Sequence, residues 1–265
     1  MKKIVLITGG SSGIGLAVAR QLSAQGWTIC LLARDIDKLK KAKNQLEQGA
    51  ECHLIQADVS QREQVVTAIR DFVREFGAPD WLITSAAIAK PDHFMRLENA
   101  DFRQAMEINY FGTLFAVQAV LPAMLKRGSG AISLISSGAG FVGTYGYGAY
   151  APTKFAVRGL AEVLRGELVS RGISVSVVCP PDTDTPQLEM ENLTKPEQTR
   201  AISGHARVMS ADAVASEIIA GILKKKFLIS PGVEMKLLGA LHSIAAPVVR
   251  WMIDRAAAKV PLEKF

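Results

Sequence analysis

Short apolar, β-branched runs alternate with longer amphipathic stretches through the first two thirds of the chain. The runs at 3–8, 27–33, 51–57, 80–84, 130–136 and 173–179 read as strands. Between them, stretches such as 13–25, 35–47 and 61–76 place apolar residues at helical spacing. Strands that are apolar on both faces and separated by helices predict an α/β fold. The expected architecture is one doubly wound parallel sheet, Rossmann-like, with helices on both faces.

Two later segments break this rhythm. Residues 180–209 hold Pro180, Pro181, Pro186 and Pro196 among polar residues and read as a loop or small helical flap. Long connections of this kind usually act as lids or binding loops, so about 185–209 is the expected substrate flap. Over 236–253, Leu237, Leu238, Leu241, Ile244, Ala245, Val248, Val249 and Met252 recur at helical spacing, and Pro247 predicts a kink or break. The uncharged part, 237–249, is thirteen residues long, too short to span a bilayer. Lys236, Arg250 and Arg255 flank it, with Trp251 at one edge. Such a C-terminal helix suits peripheral contact with a membrane interface, closure of an acyl-chain tunnel, or packing on the core or a second subunit.

Composition narrows the picture modestly. At 265 residues, with no internal repeat or linker, residues 1–265 are expected to form a single domain. Hydrophobic residues at 49% and charged residues at 21% exclude a wholly disordered chain. The apolar run at 4–7 is too short for a signal peptide or a spanning helix. Cys30, Cys52 and Cys179 are far apart and odd in number, which favours a reduced, cytoplasmic setting with neither a disulfide framework nor a metal site. The net charge of +6 suits a nucleic acid, an anionic membrane or a phosphorylated cofactor. A nucleic-acid partner is not expected, because no basic recognition element with interleaved aromatics stands out.

Candidate chemistry begins where the first strand ends. Thr8-Gly9-Gly10-Ser11-Ser12-Gly13-Ile14-Gly15 follows it directly and opens a helix. Glycines let the backbone turn sharply and approach a pyrophosphate, and the new helix offers free N–H groups to the anion. At the end of strand 2, where an acidic residue would hold the ribose hydroxyls of NAD, stand Ala33 and Arg34. Arg34, Ser11 and Lys38 suit a 2′-phosphate, which favours NADPH (NADP) over NAD. Asp58, after strand 3, is placed either to accept from an adenine amino group or to cap a helix near Ser60.

Tyr150 and Lys154 stand four apart in Tyr-Ala-Pro-Thr-Lys, on one face of a helix. A phenol titrates near 10, and a neighbouring ammonium is expected to draw it toward the working range of an acid catalyst. Ser137, at a strand end thirteen residues earlier, can bond the same carbonyl oxygen. Asn109, within Asn-Tyr-Phe-Gly, can hold a water that links Lys154 to solvent.

Taken together, these motifs resemble the short-chain dehydrogenase/reductase family over about residues 3–185. The resemblance implies hydride transfer between NAD(P)H and a carbonyl, with catalytic residues Asn109, Ser137, Tyr150 and Lys154. In that family the Tyr is the general acid, the Lys binds the nicotinamide ribose, and the Ser polarises the carbonyl. It also implies cofactor contacts from Gly9, Ser11, Ser12, Gly13, Ile14, Gly15, Arg34, Lys38, Asp58, Val59, Ala86, Tyr150, Lys154, Pro180, Thr183 and Thr185. After strand 4, Thr84-Ser85-Ala86-Ala87 replaces the family's usual Asn-Asn-Ala-Gly, and Ala87 restricts any positive φ there. Family members are commonly dimers or tetramers, so a homo-oligomer is expected. The segments 180–186 and 191–200 resemble the branch that reduces the 3-keto group of long-chain bases with NADPH. A long-chain ketone is therefore the expected substrate. A steroid or acyl derivative is the alternative, and a non-catalytic NADP sensor is disfavoured by the complete Asn-Ser-Tyr-Lys set.

Overall fold

A computed structural model describes residues 2–203, 207–257 and 259–260, with the side chains of 242–246 and 257 left aside. In chain order the elements are β1 (Ile4–Thr8), α1 (Gly13–Ser23), β2 (Thr28–Ala33), α2 (Ile36–Lys43), β3 (Cys52–Gln56), α3 (Arg62–Phe76) and β4 (Trp81–Thr84). Next come α4 (Asn99–Ala105), α5 (Gly112–Arg127), β5 (Gly130–Ile135), α6 (Ala151–Leu168) and β6 (Ile173–Val178). The last part holds β7 (Thr183–Asp184), α7 (Pro186–Thr194), α8 (Glu197–Ser203), β8 (Met209–Ser210), α9 (Ala211–Leu223), β9 (Leu228–Ile229) and α10 (Val233–Ala257).

Seven strands form one sheet in the order β3-β2-β1-β4-β5-β6-β9, every neighbouring pair parallel. The unbroken apolar strands have a direct cause: alternate side chains enter two separate cores. Leu6, Leu32, Leu82, Leu134 and Val177 point toward a cluster that includes Val65 and Ile69 of α3, Val120 of α5 and Val157 of α6. Val5, Ile7, Leu31, Ile83 and Val178 point the other way, toward Val18 and Leu22 of α1, Leu39 of α2 and Ile218 of α9. Each fully buried Leu or Ile is worth about 1.5–3 kcal/mol, so neither face tolerates a register slip.

The chain from Asn99 to Arg127 is long and apolar enough to cross a membrane by length and composition, yet half of its most apolar stretch is buried. It packs as a core element. A π-helical segment at Met106–Phe111 joins α4 to α5. The predicted flap contains α7 and α8, and β7 and β8 pair beside them. The helical pattern at 236–253 lies within α10, which runs on through Pro247; the break expected there does not occur. Ile244 and Ala245 fall among the side chains outside the described residues. Met235, Leu238, Val249 and Ile253 pack on the core, whereas Val233, Leu237, Leu241, Val248, Trp251 and Met252 stay exposed.

Candidate active site

Strand order reverses between β1 and β4, and loops leaving the carboxyl ends of neighbouring strands part there to leave a crevice. A cavity of about 510 Å³ occupies it, lined by residues that follow β1, β2, β3, β4, β5 and β6. Gly9, Ser11, Ser12, Gly13 and Ile14 form its floor at the first turn. Gly9 has φ +68°, and a Cβ there would lie 2.6 Å from the Ala86 nitrogen, so the turn accepts no side chain. Gly15 does not line the cavity; a Cβ on it would meet the Gly9 carbonyl oxygen at 2.7 Å. Its place is in closing the turn against α1. Ser12 leads into α1 without a side-chain cap, which leaves the first N–H groups of the helix available to an anion.

Arg34 and Lys38 line the same end. Asp35 is also there, but its carboxylate caps α2 by accepting from the Asp37 and Lys38 amides at 2.9 and 3.0 Å. That engagement leaves Arg34 and Lys38 as the groups facing the cavity, a cationic end suited to a phosphate. Asp58 Oδ1 accepts from both the amide and the hydroxyl of Ser60, and the residue lies 3.9 Å from Arg34, outside the cavity lining. It caps no helix either, since Gln61 precedes α3. Val59 and Ala86 do line the cavity. Ala87 follows without strain, because Lys225 is the sole non-glycine residue with positive φ among the described residues.

Ser137, Tyr150 and Lys154 converge at the other end. The β5 strand carries Ser137 to its end, where the hydroxyl accepts from the Ala139 amide at 3.2 Å. Tyr150 sits at the start of α6, and Lys154 follows one turn later with Nζ 5.4 Å from the phenol ring centre. Lys154 Nζ donates to the Ile135 carbonyl at 3.1 Å, and the side chain is almost wholly buried. Burial depresses the Lys154 pKa from 10.5 to about 8. Tyr150 behaves otherwise than the sequence suggests. Burial first, then the negative charge of Glu191, push its pKa above the ordinary phenol value, while hydrogen bonds from Ser137 and Gln187 pull it back.

Asn109 is not in the lining. It lies in the π-helical segment, where its Oδ1 accepts from the Ile88 amide at 2.8 Å and its Nδ2 donates to the Ile88 carbonyl and Thr153 Oγ1. The side chain ties the loop after β4 to α6 rather than facing the cavity. Beyond β6, Pro180, Thr183 and Thr185 reach the lining. Thr183 donates to the Pro181 carbonyl and Thr185 to the Thr183 carbonyl, so both hydroxyls also stiffen their own loop.

The same wall carries a polar group whose side chains meet only on folding. Tyr147, Asp182, Gln187 and Glu191 line the cavity, and Lys195 lies behind them. Only the four-residue spacing of Gln187, Glu191 and Lys195 signals it, since Tyr147 and Glu191 meet across 44 residues.

In a chain with a glycine turn at the reversal point of a parallel sheet and a Ser, Tyr and Lys converging above it, the sequence of residues 3–196 matches the short chain dehydrogenase family. The chain belongs to that family. The 3-ketodihydrosphingosine reductase of Bos taurus is 39% identical over 256 residues, covering 94% of this chain and 76% of that protein. The 3-ketodihydrosphingosine reductase of Dictyostelium discoideum is 37% identical over 264 residues, or 92% and 79% of the two chains. Among solved structures, a short-chain dehydrogenase from Sphingobium yanoikuyae in complex with NADPH superposes with a TM-score of 0.79 at 26% identity, covering 99% of this chain and 98% of that one.

Proposed function

We propose that this oxidoreductase uses NADPH to reduce the 3-keto group of 3-ketodihydrosphingosine to the alcohol of dihydrosphingosine, a step of sphingolipid synthesis. The observation that carries the reading is the joint one: a cavity with a cationic phosphate end and a Ser-Tyr-Lys end, in a chain similar along most of its length to reductases of that ketone. NADPH, when bound, would supply the hydride that C3 receives. The glycine turn and the bare N-terminus of α1 would hold the pyrophosphate, and Arg34 and Lys38 the 2′-phosphate. Tyr150, with its raised pKa, is protonated at neutral pH and gives its proton to the oxygen as charge develops there. Ser137 donates a hydrogen bond to the same oxygen. Lys154, depressed to about 8, is still mostly cationic at pH 7; it binds the ribose and steadies the phenolate left behind. Asn109 keeps α6 and the loop after β4 in register.

We further propose a cytoplasmic placement with peripheral membrane contact through the exposed apolar side of α10. Val248, Trp251 and Met252 beside Arg250 support it. Self-association is proposed through α5 and α6, which leave Leu125, Phe155 and Val163 exposed.

The test follows NADPH oxidation with 3-ketodihydrosphingosine, a 3-oxoacyl ester and a steroid ketone, for wild type and Tyr150→Phe. The sphingoid ketone should turn over fastest, and Tyr150→Phe should lower kcat by about 10²–10⁴-fold. Faster turnover of another ketone with none of the sphingoid would overturn the assignment.

A further inference from the structure

One wall of the cavity carries charge that hydride and proton transfer do not require. Tyr147 donates its hydroxyl to Glu191 Oε2 at 2.7 Å, and Gln187 Nε2 donates to Oε1 at 2.8 Å. Both carboxylate oxygens of Glu191, a residue only 7% exposed, are therefore fixed in position. Lys195, equally buried, lies 3.4 Å from Asp182 and 3.9 Å from Glu191. Among the described residues these two carboxylates share a single paired ammonium, which leaves this stretch of the wall locally negative. Lys154 also faces this space as a cation, but its Nζ stands 5.4 Å from the Tyr150 ring centre and bonds the Ile135 carbonyl, and no ion pair joins it to Glu191 or Asp182 among the described residues.

That negative charge opposes the generic reaction. Glu191 and Asp182 both raise the pKa of Tyr150, and both raise that of Tyr147. A phenol made harder to ionise is a poorer acid, and a negative field beside a forming alkoxide disfavours it. A buried charge that slows the chemistry needs a compensating cation when substrate is present. Lys195 is already shared and Lys154 is assigned to the ribose and Tyr150, so a cation brought by the substrate is the most direct partner for Glu191. An ammonium on the carbon next to the carbonyl meets this need, because it enters beside Tyr150 whenever the carbonyl oxygen does. Each carboxylate oxygen accepts more than one hydrogen bond, so Glu191 keeps acceptor capacity beyond Tyr147 and Gln187.

We propose that Glu191, oriented by Tyr147 and Gln187 and backed by Asp182, receives the ammonium on the carbon adjacent to the substrate carbonyl and thereby selects α-amino ketones over neutral ketones. This rests on the reading above that the substrate is a long-chain amino ketone. It adds which side chain recognises the amine. A neutral ketone would bind against an uncompensated carboxylate, whereas the amino ketone neutralises it and restores Tyr150 as an acid. Glu191 touches the substrate in this account, and Tyr147 and Gln187 act through it as positioning residues.

The experiment compares kcat/KM for 3-ketodihydrosphingosine and for its 2-deamino analogue, the same chain with the amine replaced by hydrogen, in wild type and Glu191→Gln. The wild type should prefer the amino ketone by tenfold or more at pH 7. Glu191→Gln should reduce that preference by at least tenfold, whatever happens to the absolute rates. A preference equal in the two proteins overturns the proposal. Should Glu191→Gln fail to fold, the pH dependence of the wild-type preference decides. The preference should fade as pH rises through the titration of the substrate's own ammonium, and a preference constant across that range overturns the proposal. Failure of the underlying reading looks different: the wild type then reduces neither long-chain ketone while turning over another class, and both ideas fall.

Discussion

Replacing Gly9 by alanine tests how closely the first turn is built against the floor of the cavity. Two costs arise, and the structure separates them. Gly9 has φ +68°, a left-handed conformation that costs a residue with a side chain about 1–2 kcal/mol. The added Cβ would also lie 2.6–2.8 Å from the Ala86 nitrogen, the Ala86 Cα and the Ser85 carbonyl carbon. These are backbone atoms and cannot rotate aside, so one segment must retreat, at about 1–3 kcal/mol by analogy with overpacked cores. Gly26→Ala is the control, because its φ of +78° brings the first cost while no atom lies within 4 Å to bring the second. For a chain of this size 1 kcal/mol moves Tm by about 2–4 °C, so Gly26→Ala should lower Tm by about 2–8 °C and Gly9→Ala by about 4–20 °C. NADPH affinity, followed by titration of nicotinamide fluorescence, should fall at least tenfold in Gly9→Ala and stay unchanged in Gly26→Ala. Equal Tm losses with unchanged NADPH affinity in both would refute the close approach and its role in the cofactor site.

Lys154→Met should abolish reduction yet raise Tm near neutral pH. Its pKa falls from 10.5 in the unfolded chain to about 8 in the folded one, so the folded state holds fewer protons between those values. Stability then rises with pH across that window, and the burial penalty, at most about 3 kcal/mol, is fully present below pH 8. The stability gain of the variant should therefore shrink from pH 8 toward 10.5 in thermal melts; a gain independent of pH would contradict the linkage. Arg34→Ala should weaken NADPH at least tenfold, the scale of a lost charge-assisted hydrogen bond, and leave NADH within about twofold in steady-state KM. Deleting the chain from 248 onward should reduce pelleting with anionic liposomes, and undiminished pelleting would remove α10 from membrane contact.

The parts of the fold legible in the sequence are those where local pattern and tertiary environment agree. Five of the six longer strands announce themselves because both faces are buried, the half-buried edge strand β3 by its apolar residues, and the glycine turn because backbone geometry admits little else at Gly9. The edge strand Leu228–Ile229 is only two residues long and leaves no period to read. The π-helical segment keeps an amphipathic helical pattern, so its extra-wide turn around Asn109 is invisible, and with it the ties of that side chain to Ile88 and Thr153. The sequence pattern predicts that Lys154 draws Tyr150 down, yet burial first, and then the charges of Glu191 and Asp182 more than thirty residues away, hold its pKa up. Charged residues in a proline-rich segment look solvated until folding buries them. Pro247 was expected to interrupt the last helix, but at that point α10 continues while holding Val249 and Ile253 against the core, a tertiary gain that offsets the missing N–H.

The most direct test of the account follows the hydrogen itself. The protein is incubated with 3-ketodihydrosphingosine and NADPH carrying deuterium at the transferred position of the nicotinamide, and the sphingoid product is analysed by mass spectrometry. The account predicts dihydrosphingosine one mass unit heavier, with the label on C3, formed by the wild type and at least about a hundredfold more slowly by Tyr150→Phe. Unlabelled or absent dihydrosphingosine, with deuterium delivered instead to another ketone in a mixed-substrate assay, would contradict it.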